Sequence, residues 1–298
     1  MQSIDNALIR QFRDSLHIEA QQMVSKAMPF VEFKTFQGDD LAYDSFGKVN
    51  EQEVESRNQK IEFAEAEFSR RKLKRRRFNV AVPVDASDVR GMLLDPTGPI
   101  TKACIAAMNR RKDRIVTEAA LADVLTGRDF GTTVTFAGDG GQEVDATAGF
   151  TYEKLLEVRR QFKAKDVPSG KIGLLMSDQE EEALMKETEL TSGDFTRMMP
   201  VDGGDLTRGV GMDFVIFGSS PDGYDPILNI NGSSERECIA IAATQERAGI
   251  CLGMSSDITV KIQERTDLIE TTQVVVGLEL GAVRTEGVLV QKIRTTPV

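Results

Sequence analysis

Residues 70–84 read RRKLKRRRFNVAVPV, with seven bases in the first eight positions. Phe78, Val80, Val82 and Val84 then alternate with Asn79, Ala81 and Pro83, the period-two pattern of a strand with one buried face. The basic run enters that strand along one arm of a long hairpin. Just upstream, Glu51, Glu53, Glu55, Glu62, Glu65 and Glu67 stand against only Arg57 and Lys60. Charge is therefore blocked along the chain: -6 over residues 1–69, +7 over 70–77 and -11 over the remainder, for a total of -10. A hairpin so poor in apolar residues has no core of its own and is marginal in water. It needs another surface to lie on.

The basic run, Arg70, Arg71, Lys72, Lys74, Arg75, Arg76 and Arg77, has three readings. It lacks interleaved aromatics for base stacking and adjoins acids that compete for it, which weakens a nucleic-acid reading. A localisation signal fits poorly with the strand that follows. The favoured reading is pairing with acidic surface on another copy of the chain, with the six glutamates as candidate contacts too. Exposed ion pairs contribute only about 0–1 kcal/mol each, but several repeated at every contact set register and orientation.

Outward from the hairpin, Asp95-Pro96-Thr97-Gly98-Pro99 is a stop-and-start signal, with Pro99 suited to a first helical turn. Ile100, Cys104, Met108, Ile115, Ala119, Ala122 and Leu125 continue a helical stripe that Gly127 ends. A helix over 99–125 would be about 40 Å long. Its mid-helix Arg110, Arg111, Lys112 and Arg114 mark a side expected to meet solvent or a partner. Gly138-Asp139-Gly140-Gly141 has neither the spacing of a dinucleotide fold nor the Lys-Ser/Thr ending of a phosphate loop, and reads as a turn.

From Thr151 to Cys251 the pattern is helix, strand, helix, strand, strand, with a capping box at Ser177-Asp178-Gln179-Glu180. Beyond it, alternation through Ile258, Val260 and Ile262, then Val274, Val276, Leu278 and Leu280, then Val288 and Val290, reads as long antiparallel strands. These have no helical partner in sequence and are expected to pack beneath the long helix. At the other end, Ile4, Leu8, Phe12, Leu16 and Ala20 form a stripe too thin for a core helix. It suits an arm on a neighbouring surface or a frayed terminal helix.

Composition bounds the function. Hydrophobic residues make up 40% of 298, and counting Gly while leaving out Tyr brings the total to about 47%, the share of a globular chain; the pI near 4.9 argues against free DNA binding. The N-terminus carries no apolar run of leader or membrane-spanning length, so a cytosolic, reducing site of synthesis is expected and Asn231-Gly232-Ser233 reads as a polar turn. His17 is the only histidine, and it leaves hydrolytic triads without a base. One His and the scattered Cys104, Cys238 and Cys251 do not make a zinc set. Asp85 with Asp88, and Asp202 with Asp205, read as turn and cap residues; no catalytic residue, cofactor or metal is expected.

Three segments in order carry a resemblance: RRRFNVAVPVD leading to LLDPTGPITKA, GFTYEKLLEVRRQF with VPSGKIGLLMS, and IQERTDLIETTQVVVGLELGAVR. The chain resembles a major capsid protein of a tailed bacteriophage, with the α+β Hong Kong 97 type fold. That resemblance implies an N-terminal arm at 1–36 and an extended loop at 37–82. It implies a peripheral domain from 83–148 and 253–298 with spine helix and long strands, and a compact axial domain at 149–252. It also implies a non-enzymatic shell subunit that self-assembles into hexamers and pentamers around double-stranded DNA, without sequence-specific binding and without a membrane. Portal, and scaffold or cement proteins, would be partners, with assembly in the host cytoplasm and residence in the virion. Encapsulin-type compartments share the fold, and a carboxylate-dependent hydrolase is the reading from another class. Two departures stand out: the hairpin begins too early for a long cleaved scaffold, and nothing designates Lys48 or Lys60 for a covalent crosslink.

Overall fold

The structure is a computed structural model. It describes residues 21–47, 49, 51, 53, 60, 63, 68–84, 97–167, 170–187, 201–202, 205–218, 235–244, 247–265 and 271–296. The thin stripe from Ile4 to Ala20, the pair Asp85 and Asp88, the Asn231 turn, and Glu55, Glu62, Glu65 and Glu67 lie outside these.

In chain order the elements are β1 (Glu32–Thr35), β2 (Asp40–Phe46), β3 (Phe68–Lys74), β4 (Arg76–Val84), α1 (Thr97–Leu121), β5 (Val124–Thr126), β6 (Thr132–Val134) and β7 (Gln142–Ala146). There follow α2 (Tyr152–Ala164), β8 (Lys171–Ser177), α3 (Asp178–Met185), β9 (Val201–Asp202), β10 (Asp205–Leu206), β11 (Arg208–Gly209) and β12 (Met212–Phe217). The chain closes with β13 (Arg236–Ala243), β14 (Ile250–Arg265), β15 (Thr271–Arg284) and β16 (Val290–Thr295).

The long strands form a sheet in the order β1-β14-β15-β4, and α1 lies on it, chiefly over β15. Val274, Val276, Leu278 and Leu280 turn inward beneath the helix and are essentially inaccessible. The helix ends earlier than its stripe suggested. Val124–Thr126 is a strand rather than a last turn, because Val124 pairs with Val134 and is buried in a small apolar cluster. Gly127, at φ +96, then makes the turn that only glycine takes without strain.

The side expected to meet solvent or a partner is in large part closed within the subunit itself. Lys112 and Asp113 are buried, and the Lys112 ammonium donates to Asp257 at 2.9 Å. Arg111 lies over the Phe78 ring at 4.4 Å. The helix spreads across β4, β15 and β14, so this flank meets the sheet and the incoming chain. Asp113 collects the segment before β1: Ala27 N–H and Lys26 N–H donate to it at 3.0 and 3.1 Å, and Ser25 and Gln22 side chains donate as well.

A second sheet, ordered β11-β12-β8-β13-β16-β7, carries the compact part. β8 and β12 run parallel with α3 in the crossover between them. The Ser177 capping box forms: Glu180 accepts the Ser177 backbone N–H at 3.0 Å, and its other oxygen accepts from Thr295 at 2.8 Å. α2 buries Leu155, Val158 and Phe162 at helical spacing. Sheet membership cuts across the sequence division at 148/149 and 252/253. β7 and β16 come from the segments placed in the other domain yet complete this sheet, and β14 runs unbroken through residue 252. The apolar core is likewise continuous from one sheet to the other.

Candidate functional site

The hairpin is shorter than 37–82. β2 pairs antiparallel with β3 from Asp40↔Lys74 to Phe46↔Phe68, whereas β4 belongs to the long sheet, paired with β15. The basic run therefore changes sheets at Arg75, whose backbone N–H donates to Asp39 O at 2.9 Å. The cause lies in what the two halves bury. Phe78, Val80 and Val82 pack on the main core, whereas only Leu73 and the stem of Arg71 are buried in β3.

Arg71 is the most deeply buried base of the run. It is 6% exposed, and its guanidinium donates to both Asp139 oxygens, at 2.7 and 2.6 Å, and to Arg284 O at 3.1 Å. Arg284, fully buried, donates to Asp139 at 2.8 Å and to Ala120 O and Ala122 O at 2.9 and 2.8 Å. One carboxylate thus serves two cations, and the second cation closes the C-terminal end of α1, where helix carbonyls carry partial negative charge. The Gly138–Gly141 passage is indeed a turn, and its work is to present Asp139: the Asp139 N–H donates to Thr135 O at 3.0 Å. Sequence reasoning missed this cluster, since Asp139 and Arg284 stand 68 and 213 residues from Arg71.

Within the subunit Arg71 is thus an internal anchor. Most of the run is likewise paired within its own chain. Arg70 meets Asp44 at 2.7 Å across the hairpin, and Lys72 meets Asp40 at 2.8 Å. Arg75 meets Asp39 at 2.5 Å and Glu279 at 3.3 Å, Arg76 meets Glu118 at 2.9 Å and Arg77 meets Glu279 at 3.4 Å. Lys74 is exposed, and the Arg77 side chain is 70% exposed. Glu51 and Glu53 are exposed as well. The Arg70 guanidinium holds the Asp44 carboxyl below its usual range, first through the hydrogen bond.

Around this ionic root, Phe36, Tyr43, Leu73, Val124, Cys251 and Val283 form a small apolar cluster of their own. Burial raises the Tyr43 hydroxyl far above its ordinary pKa, and the Glu32 carboxylate that accepts its hydrogen bond at 3.0 Å adds to this. Burial also pushes the Cys251 thiol up to about 12, with help from Glu32. Both groups are inert packing at neutral pH. Farther out the hairpin is different: Phe46 and Phe68 meet edge to face at 4.9 Å, and they are 50% and 80% exposed.

Among the described residues no three His, Cys, Asp or Glu side chains gather as a metal set, and no helix is long and apolar enough to cross a membrane. Among the described residues the arrangement is an arm rooted by buried charge, with the exposed aromatics Phe46 and Phe68 farther along it.

No curated protein matches the chain in sequence. Its fold is similar to that of the capsid of cyanophage Pam1, with TM-score 0.73 at 11% identity over 96% of each chain. It is similar also to the capsid of cyanophage P-SCSP1u, with TM-score 0.70, 10% identity and coverage of 97% and 94%. The Ralstonia phage GP4 capsid gives 0.67 at 12% identity over 97% and 96%. The architecture is thus the mixed helix-and-sheet, Hong Kong 97 type fold of phage capsids. The profile of the phage capsid protein family matches residues 4–296, and the chain belongs to that family.

Proposed function

We infer that this capsid protein builds the icosahedral head shell as rings of five and six copies and that the shell encloses double-stranded DNA. The observation that carries the assembly reading is the hairpin. Its root is locked into the subunit through Arg71, Asp139 and Arg284, while its outer aromatics are exposed, so the arm is stiff where it leaves and unfinished where it arrives. A second copy of the chain supplies the missing surface.

In this reading the hairpin is the extended loop over a neighbour, α1 with the long sheet, β1 included, is peripheral, and the β8/β12/β13 sheet lines the ring axis. Lys74, Arg77, Glu51 and Glu53 are the charges best placed for contacts between copies, because each is exposed. The overall charge of -10 suits a wall that holds DNA without adhering to it. Portal and scaffold or cement proteins complete the partner set, with assembly in the host cytoplasm. The subunit acts structurally, without catalysis.

Negative-stain microscopy of the purified chain tests this. Closed shells, or five- and six-membered rings, are the expected result. A stable monomer or dimer at high concentration would sink it. Nuclease-protected DNA in particles purified from an infected host separates a genome container from a compartment for protein cargo.

A further inference from the structure

Where α1 lies over β4, one carboxylate faces three guanidiniums. Glu118 accepts from Arg76 at 2.9 Å, and Arg111 and Arg114 stand 3.5 and 3.3 Å from its other oxygen. Neither Arg111 nor Arg114 donates a hydrogen bond to a described residue, and the Nε of each is buried without an acceptor. Buried polar groups are nearly always partnered, so these two arginines are under-satisfied. The guanidiniums of Arg76 and Arg111 pack on the Phe78 ring at 5.4 and 4.4 Å, so one aromatic positions two of the three.

The nearby acids of the helix and sheet do not redress the balance. Asp113 is taken up by the segment before β1, and Asp257 by Lys112. Three bases against one acid leave the cluster at +2, within a chain whose total is -10. Burial lowers the Arg111 pKa; Glu118 opposes this, and Arg76 and Arg114 add to it. The cluster is nonetheless reachable: the Arg76, Arg111 and Arg114 side chains are 49%, 24% and 37% exposed. β4 is an edge strand, and among the described residues no further strand flanks it. Guanidinium forks match the oxygens of phosphate, and a phosphate group can meet several forks at once.

We propose that Arg76, Arg111 and Arg114 form a phosphate-binding site on the flank of α1, with Phe78 as its support and Glu118 as the internal counter-ion that a bound phosphate partly displaces. The ligand is a phosphate group, supplied by free phosphate or by the backbone of a DNA duplex. A backbone phosphate held there makes one point of adhesion on a wall that otherwise repels DNA. The site goes beyond the shell reading and does not depend on it, because all of its side chains belong to one subunit.

Calorimetry tests it, with inorganic phosphate titrated into the purified full chain at constant ionic strength in place of chloride. Saturable binding is expected, weakened about tenfold by Arg114→Gln, the equivalent of one charge-assisted hydrogen bond. Lys165→Gln removes the same charge from an exposed position at the end of α2 and should leave binding unchanged. Glu118→Gln removes the competing anion and should bind phosphate more tightly, which keeps the test open should the arginine variant fail to fold. Binding that does not saturate overturns the site, as do equal losses in Arg114→Gln and Lys165→Gln, or a Glu118→Gln variant that binds no more tightly than the unaltered chain. A short DNA duplex that displaces the phosphate assigns the site to the DNA backbone; a duplex that does not assigns it to free phosphate. Loss of shells in Arg114→Gln, with no phosphate bound by the unaltered chain, gives the cluster to an acidic surface of another copy and overturns the proposal too. A chain that assembles without binding phosphate removes this inference alone; one that binds phosphate without assembling removes the shell reading alone.

Discussion

Arg71 sits in the most basic stretch of the sequence and is one of its least accessible side chains. Its neighbours in sequence gave no sign of this, because burial was decided by Asp139 and Arg284, which only the folded chain brings near. Removing Asp139 leaves two buried guanidiniums facing each other. Asp139→Ala is expected to cost about 3–5 kcal/mol, read as a lowered midpoint in urea unfolding, whereas Arg71→Leu leaves the Asp139–Arg284 pair and should cost less. A second residue-level prediction concerns pH. The hydrogen bond from the Lys112 ammonium, then that from the Ile258 N–H, holds Asp257 below the ordinary carboxylate range. A lowered folded pKa stabilises above the unfolded value of about 3.9 and is lost as pH falls through the folded one. The Asp257 side chain is largely exposed, so water screens much of the effect. Asp257→Asn should lower stability slightly at pH 7 and flatten a small part of the acid limb, so that the two proteins converge as pH falls; an unchanged limb would discount the Lys112 contact.

At the scale of elements, the legible parts were those that neighbouring residues determine. Alternation in Phe78–Val84 and Val274–Leu280 gave β4 and β15, and the Ser177-to-Glu180 spacing gave the start of α3. What was not legible is where one element hands over to the next. The apolar stripe of α1 runs on through Leu125, yet the helix stops at Leu121, because the sheet beyond can pair Val124 and its cluster can bury it. The basic run reads as one arm and is two strands in two sheets, joined at Arg75. That joint is tight: a Cβ on Gly281 would collide with Lys74 O and press on the Leu73 side chain. Gly281→Ala is expected to destabilise by about 1–3 kcal/mol and to raise the protease sensitivity of the hairpin more than that of the β8/β13 sheet. Equal sensitivity in both would argue against a separable root.

For the whole molecule, the order of arm, hairpin, long helix, compact unit and terminal strands already pointed to a capsid subunit, and the family match bears that out. Charge was read along the chain and acts across the fold. The separation of a +7 block from acidic blocks suggested recognition between copies, but acids scattered from Asp39 to Glu279 take up most of that block inside one subunit. The expectation for the exposed part can still be tested at this scale. Replacing Arg75, Arg76 and Arg77 with Glu sets like charges beside Glu118, Glu279 and Asp39, at a cost of only about 0–1 kcal/mol for each surface pair lost. The subunit should stay folded by circular dichroism and fail to form shells. Shells of normal yield at low and physiological salt would remove the run from any contact.

The clamp made by Asp139 also has a mechanical meaning. A shell of fivefold and sixfold rings asks one chain to adopt slightly different tilts between neighbours. With Arg71 and Arg284 bonded to the same carboxylate and to the end of α1, tilting the hairpin at its root would break several buried, charge-assisted bonds at once. Compliance is therefore displaced away from that root: at Asp44 and Arg70 the side chains make a solvent-exposed pair beside the strand ladder rather than a buried clamp. In the proposed shell the subunit behaves as a rigid bracket at the hairpin root, so differences in tilt fall on the contacts between copies and not on that root.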